Sequence, residues 1–182
     1  MKKINILLAT MLSVAMIFGM TVPAYAASSN VNIEIQATTM DNVSVTVPTT
    51  LPIVFNADGT NTLPTNWVIE NRSLIAGIHL AEIQMTAGTG GWQLLDSTED
   101  TTKLPVNTKS IQFFVGKQDA LKLVAPSEGR AAVSGSVTFE ADEIALASGE
   151  TQVLSFNVKR GAFTTAEASA KAFEMTLRFE FN

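Results

Sequence analysis

From Phe173 to Asn182 apolar and polar side chains alternate without a slip, with Phe173, Met175, Leu177, Phe179 and Phe181 set against Glu174, Thr176, Arg178 and Glu180. A period of two sends alternate side chains to opposite faces, so this stretch predicts a β-strand with one face on a core and the other in water. Five large apolar side chains on one face need a second apolar sheet to cover them. The same alternation recurs upstream, in Val31, Ile33 and Ile35 against Asn32, Glu34 and Gln36, and in Val43, Val45 and Val47 against Ser44 and Thr46. Pro48 and Pro52 interrupt the second run. Proline cannot donate to a ladder, so this segment suits a sheet edge or a crossing between sheets. Ile53 to Phe55 resumes the strand, and Asn56-Ala57-Asp58-Gly59 is a turn by composition.

Trp67 to Glu70 predicts the next strand. In the run from Ile75 to Met85 the phase changes, since Ile78 and Leu80 share one parity and Ala81, Ile83 and Met85 the other. A β-bulge near Leu80 accounts for the switch. Gly88-Thr89-Gly90-Gly91 predicts a flexible turn before Trp92-Gln93-Leu94, and Ser97 to Thr102 a polar loop. Further strands are expected at Ser110–Val115, Leu121–Val124, Ser136–Phe139 and Gln152–Val158. The alanine-rich stretch Thr164 to Ala172, with Thr164 or Thr165 as N-cap and Glu167 in the first turn, predicts a helix of at most two turns. No repeat or low-complexity linker divides the chain. The expectation is therefore all-β, a single β-sandwich over 27–182, jelly-roll or immunoglobulin-like, with roughly nine or ten strands and at most one short helix.

The first residues follow a different rule. Lys2 and Lys3 precede an apolar run from Ile4 through Gly19, and Pro23-Ala24-Tyr25-Ala26 closes it with an A-x-A site. This predicts a secretory signal peptide over Met1 to Ala26. Its removal would leave 182 − 26 = 156 residues carrying 12 − 2 = 10 Lys+Arg against 17 Asp+Glu, a net charge of −7. Such a balance argues against nucleic acid and anionic lipid as partners, because both are bound by clustered Lys and Arg. There is no cysteine, which excludes a disulfide framework and thiol chemistry. Leu63-Pro64-Thr65-Asn66 imitates a sortase signal but is internal and lacks the glycine, so covalent anchoring to a wall is not expected. The expected location is outside the cell, free or loosely associated with the wall, without an integral membrane segment after cleavage.

Candidate chemistry is sparse. Triads, dyads and zinc sites draw on His or Cys, and His79 is the only histidine. It is expected as a partly buried or edge residue with a satisfied hydrogen bond. The adjacent acids Glu99-Asp100 and Asp142-Glu143 fall in or beside polar loops, where neighbours on an extended chain point to opposite sides, so a glycosidase pair is not expected. Asp58-Gly59-Thr60-Asn61 offers oxygen ligands but lacks the alternating acids and distal Glu of a calcium loop. No catalytic residue, metal or cofactor is predicted. The binding candidates are Trp67 and Trp92, the amphipathic aromatics left once Tyr25 leaves with the signal peptide, and either could stack on a sugar if exposed.

Val45-Thr46-Val47-Pro48-Thr49-Thr50-Leu51-Pro52-Ile53, Asn56 to Gly59, Ile69 to Ser73, Gly91-Trp92-Gln93-Leu94 and Leu104 to Lys109 together resemble landmarks of exported β-sandwich surface proteins of clostridia and related Gram-positive bacteria. Gly91 to Leu94 is also similar to the first signature of the WxL cell-wall-binding domain. The second tryptophan signature of that domain is replaced here by Phe179-Glu180-Phe181. The resemblance implies a surface protein and carries no active-site residue.

Three classes of function follow. The first is a non-enzymatic structural protein of the cell surface or extracellular matrix, for which Val31 to Ala37 is either a strand at an exposed sheet edge that adds to a neighbour's sheet, so that copies polymerise, or an ordinary first strand paired within its own domain. The second is a non-covalent wall- or glycan-binding module relying on Trp67 or Trp92. An exported enzyme is the third and would need two carboxylates converging in a cleft.

Overall fold

The computed structural model describes residues 29–38, 43–56, 58–74, 76–164 and 170–182. The expected signal peptide, Met1 to Ala26, lies outside them. In chain order the strands are β1 (Ser29–Thr38), β2 (Val45–Thr46), β3 (Thr50–Phe55), β4 (Asn61–Thr62), β5 (Trp67–Asn71), β6 (Ile78–Ala87), β7 (Gln93–Leu95), β8 (Ser110–Lys117), β9 (Ala120–Leu123), β10 (Ala125–Pro126), β11 (Ala131–Ala132), β12 (Gly135–Thr138), β13 (Ala145–Leu146), β14 (Thr151–Arg160) and β15 (Ala170–Phe181). Ten of these are three residues or longer, and the other five are two-residue pairings at the margins of the sheets.

The strands form two mixed sheets packed as a β-sandwich. One runs β10-β12-β6-β15-β1-β3-β4 with β13 also on β6, and the other runs β11-β7-β8-β14-β5-β2 with β9 also on β8. Their inner faces share one core, which holds Ile33, Leu51, Ile53, Ile83, Met85, Phe173, Met175 and Leu177 from the first sheet and Ile69, Leu94, Ile111, Phe113, Val115 and Leu154 from the second. The alternation of Phe173 to Phe179 lands on this core as the period of two requires, while Phe181, at the strand end, is exposed.

Register explains the phase switch in β6. Arg178 faces Glu82 and the next residue, Phe179, faces Leu80, so Ala81 is the extra residue of a β-bulge. The bulge lets Ile78 and Leu80 on one side of it, and Ile83 and Met85 on the other, all reach the core. The Pro48 region is a crossing between sheets: β2 pairs β5 in the second sheet and β3 pairs β1 in the first. Pro52 stands in β3 where β4, limited to Val54 and Phe55, does not reach.

Two expectations are corrected. Of the predicted helix from Thr164 to Ala172, Ala170, Lys171 and Ala172 belong to β15, where Ala172 is buried and pairing overrides alanine's helical preference; residues 165–169 lie outside the description. The single helical turn among the described residues is a 3-10 turn at Thr101–Lys103, capped by the Asp100 carboxylate, which accepts from the Thr102 N–H. The turn from Gly88 to Gly91 is tied down rather than flexible. The Gly88 and Gly90 amides donate to the Ala172 and Lys171 carbonyls, and a Cβ on Gly88 would stand 2.2 Å from the Lys171 oxygen.

Candidate functional site

β1 is the first described element of the chain, yet it lies inside the first sheet and not at an edge. It pairs in parallel with β15, from Val31 opposite Ala170 to Thr38 opposite Arg178, and antiparallel with β3, from Ser29 opposite Phe55 to Glu34 opposite Thr50. Parallel neighbours require a long connection, and here it is everything between the two strands, residues 39–169. Val31, Ile33 and Ile35 are fully buried, flanked by Leu51 and Ile53 of β3 and by Phe173 and Met175 of β15. Glu34 and Gln36 point outward and are exposed.

The pairing carries its own register marks. Asn32 faces Lys171 but Ile33 faces Phe173, so Ala172 is a bulge on β15. On the outer face the Lys171 ammonium is held by the Glu34 carboxylate of β1 and, at 2.5 Å, by Glu174 of its own strand. Those hydrogen bonds, Glu174 first and Glu34 second, raise the Lys171 ammonium above its ordinary value. A one-residue slip of β1 would turn Ile33 into water and Glu34 into the core.

The link leaving β1 is short. Ser44 is already fixed to the body, its amide donating to Ser73 Oγ at 3.1 Å and its carbonyl accepting from the Arg72 amide at 2.7 Å. Ser73 is set in turn by Asn71, which is fully buried. Asn71 Nδ2 donates to the Ala76, Leu146 and Ala147 carbonyls, and its Oδ1 accepts from the Ser73 amide.

The predicted binding residues lie elsewhere and are closed. Trp67 is 3% exposed, edge-on to Phe156 at 5.5 Å, and its Nε1 donates across the sandwich to the Thr50 carbonyl at 3.3 Å. Trp92 is 2% exposed and packs on Phe55 at 5.5 Å and Phe163 at 5.7 Å. Neither indole offers a face for stacking on a sugar. Arg160 covers this aromatic cluster, with its guanidinium 4.8 Å from the Phe55 ring centre and donating to Asn61 Oδ1 and the Asn56 and Gly161 carbonyls.

The remaining candidates are structural. His79 is buried, with Nδ1 3.0 Å from Asn182 Oδ1 and Nε2 4.0 Å from Glu180 Oε2. Glu99 pairs with Arg130 and Asp100 with Lys103, while Glu143 is held by Lys122 at 2.5 Å and by the Glu140 amide. The Lys122 hydrogen bond holds the Glu143 carboxyl below its usual range. Asp58 is absorbed by Thr60, whose amide and hydroxyl both donate to Oδ1, and the same Asp-x-Thr turn recurs at Asp96-Thr98 and Asp100-Thr102. A depression of about 70 Å³ is lined by Lys117, Ala120, Phe139, Glu143 and Ile144, and its one carboxylate is the Lys122-bound Glu143. Among the described residues no three His, Cys, Asp or Glu side chains group to hold a metal ion, and no helix is long and apolar enough to cross a membrane.

The motif at Val31 to Ala37 pointed to β1 as a strand, and only its partners were hidden: the parallel neighbour is more than 130 residues away, a separation no local pattern encodes. No protein-family model, curated protein or solved structure matches this chain.

Proposed function

We propose that this is a secreted, non-enzymatic structural protein of a Gram-positive cell surface or extracellular matrix, whose copies assemble by strand addition. The observation that carries the reading is the position of β1: a strand near the start of the chain fills the middle of a sheet, and all its partners lie in residues 43–182. A body lacking this strand would present two rows of unpaired backbone groups, on β3 and β15, above exposed core. Export is supported by the n-region, h-region and A-x-A pattern of residues 1–26. The acidic balance and tryptophan burial weigh against nucleic acid, anionic lipid and stacked sugars as partners. A wall-binding module would need some surface other than Trp67 and Trp92.

Sedimentation of purified residues 27–182, with and without Gram-positive wall sacculi, tests this. Ordered filaments that pellet without sacculi, and that are lost when residues 27–37 are deleted, are the expected result. Pelleting only with sacculi would overturn the reading in favour of wall binding. A chain that stays soluble in both would remove self-assembly altogether.

A further inference from the structure

We propose that the slot between β3 and β15 accepts β1 from a second copy of this chain, antiparallel to Thr50–Phe55 and parallel to β15, in the register seen within one chain. This rests on the self-assembly reading and gives it a defined joint. Every contact that β1 makes is with a surface present on each copy: Leu51 and Ile53 on one side, Phe173 and Met175 on the other, Lys171 on the outer face. Exchange therefore keeps the whole set of contacts and changes only which chain supplies them.

Two features make β1 suited to donation. The link that follows it is five residues long, 39–43, since Ser44 is fixed to Ser73 and Arg72. Five residues reach about 17 Å when extended, so a donated β1 keeps its parent body close to the acceptor. A short hinge of this kind favours exchange over a slack intramolecular return. Finally, the acceptor specifies what enters. The Ala172 bulge, the buried row Val31-Ile33-Ile35 and the Glu34–Lys171 ion pair hold only one register. Donor strand and acceptor slot are different surfaces of the chain, so the contact is heterologous and propagates into a filament unless its rotation closes a ring.

The chain contains no cysteine, which allows the joint to be read covalently. Gln36 and Thr176 face each other across β1 and β15 on the outer side of the sheet. One preparation carries Gln36→Cys and a second Thr176→Cys; the two are mixed, unfolded, refolded together and oxidised. The expected result is a disulfide-linked species of twice the chain mass that contains one copy of each variant. It should be absent when Gln36→Cys is mixed with Gln93→Cys, on the other sheet. In the double variant, oxidation should give a ladder of covalent multimers. A double variant that oxidises only to a closed monomer, with no mixed dimer from the single variants, would overturn the exchange. If residues 27–182 still pellet as filaments in that case, the copies assemble through another surface, strand addition falls, and only self-assembly as a structural protein stands; if they do not pellet, self-assembly falls as well. Glu34→Cys with Glu174→Cys, also in register, repeats the measurement should the first pair disturb folding.

Discussion

β1 and β15 lie side by side, run in the same direction and show the same alternation, but their attachments differ. β15 pairs β6 from Phe173 to Phe181 and β1 on its other edge, and the turn amides of Gly88 and Gly90 bond its first carbonyls. It buries Ala172, Phe173, Met175, Leu177 and Phe179. β1 buries Val31, Ile33 and Ile35. Identical patterning thus produces a spine in one case and an insert in the other. The ladders make the difference, since β15 is held along Phe173–Phe181 by β6, a strand from the middle of the chain, while β1 beyond its ladder to β15 is held by β3 only from Ser29 to Glu34. At about 1.5–3 kcal/mol for each buried aliphatic side chain, an empty slot is costly in water, which makes a replacement strand strongly favoured.

The largest effects come from breaking each strand's buried row. Phe173→Ala should cost about 3–5 kcal/mol and Ile33→Ala about 2–5 kcal/mol, both read from urea unfolding of the full chain. The contrast lies in rescue. A synthetic peptide of residues 29–38 in excess should restore much of the stability of Ile33→Ala, by displacing the defective strand, with a concentration dependence that follows ligand linkage. It should do nothing specific for Phe173→Ala, whose damage is in the slot wall. Equal responses from the two variants would erase the distinction between spine and insert.

A smaller effect tests whether the body stands apart from its insert. Asn71 ties the end of β5 to the carbonyls of Ala76, Leu146 and Ala147, none of which β1 touches. Asn71→Ala should cost about 1–3 kcal/mol, because it leaves buried carbonyls without donors. Combined with Ile33→Ala it should be additive within about 0.5 kcal/mol. A larger coupling would mean that β1 and the β5–β13 corner unfold as one unit, and that the strand is not separable.

Much of this architecture was legible in the sequence because period-two alternation and proline punctuation act locally. The strand at Phe173 to Phe179, the bulge beside Leu80 and the crossing at Pro48 all follow from which side chains must reach a core. What stayed hidden depends on distant partners. Ala170 to Ala172 look helical in isolation, yet Asn32 and Lys171 meet across the sheet and the backbone is committed to the ladder. Trp67 and Trp92 have the chemistry of a sugar platform, and only the approach of Phe156, Phe55 and Phe163 removes it. The slot was the least legible part, since a central position for an early strand is a property of topology.

The smallest expected effect concerns the ion pair that Lys171 of β15 makes with Glu34 of β1. Lys171 is part exposed and reaches Glu34 across the sheet, so Lys171→Met should cost no more than about 0.2–1 kcal/mol at low salt, and less as salt rises. Its pH dependence carries a sign. Because folding raises the Lys171 ammonium above its ordinary value, its contribution is fully present below that value and is lost as pH rises through the folded one. The stability difference between wild type and Lys171→Met should therefore be flat through neutral pH and shrink at strongly alkaline pH. Assembly sharpens the measurement, because an ion pair that forms between copies makes filament yield depend on salt where monomer unfolding hardly does. Filaments indifferent to both Lys171→Met and salt would assign the pair to the spine's own Glu174 and leave β1 held by its apolar row alone.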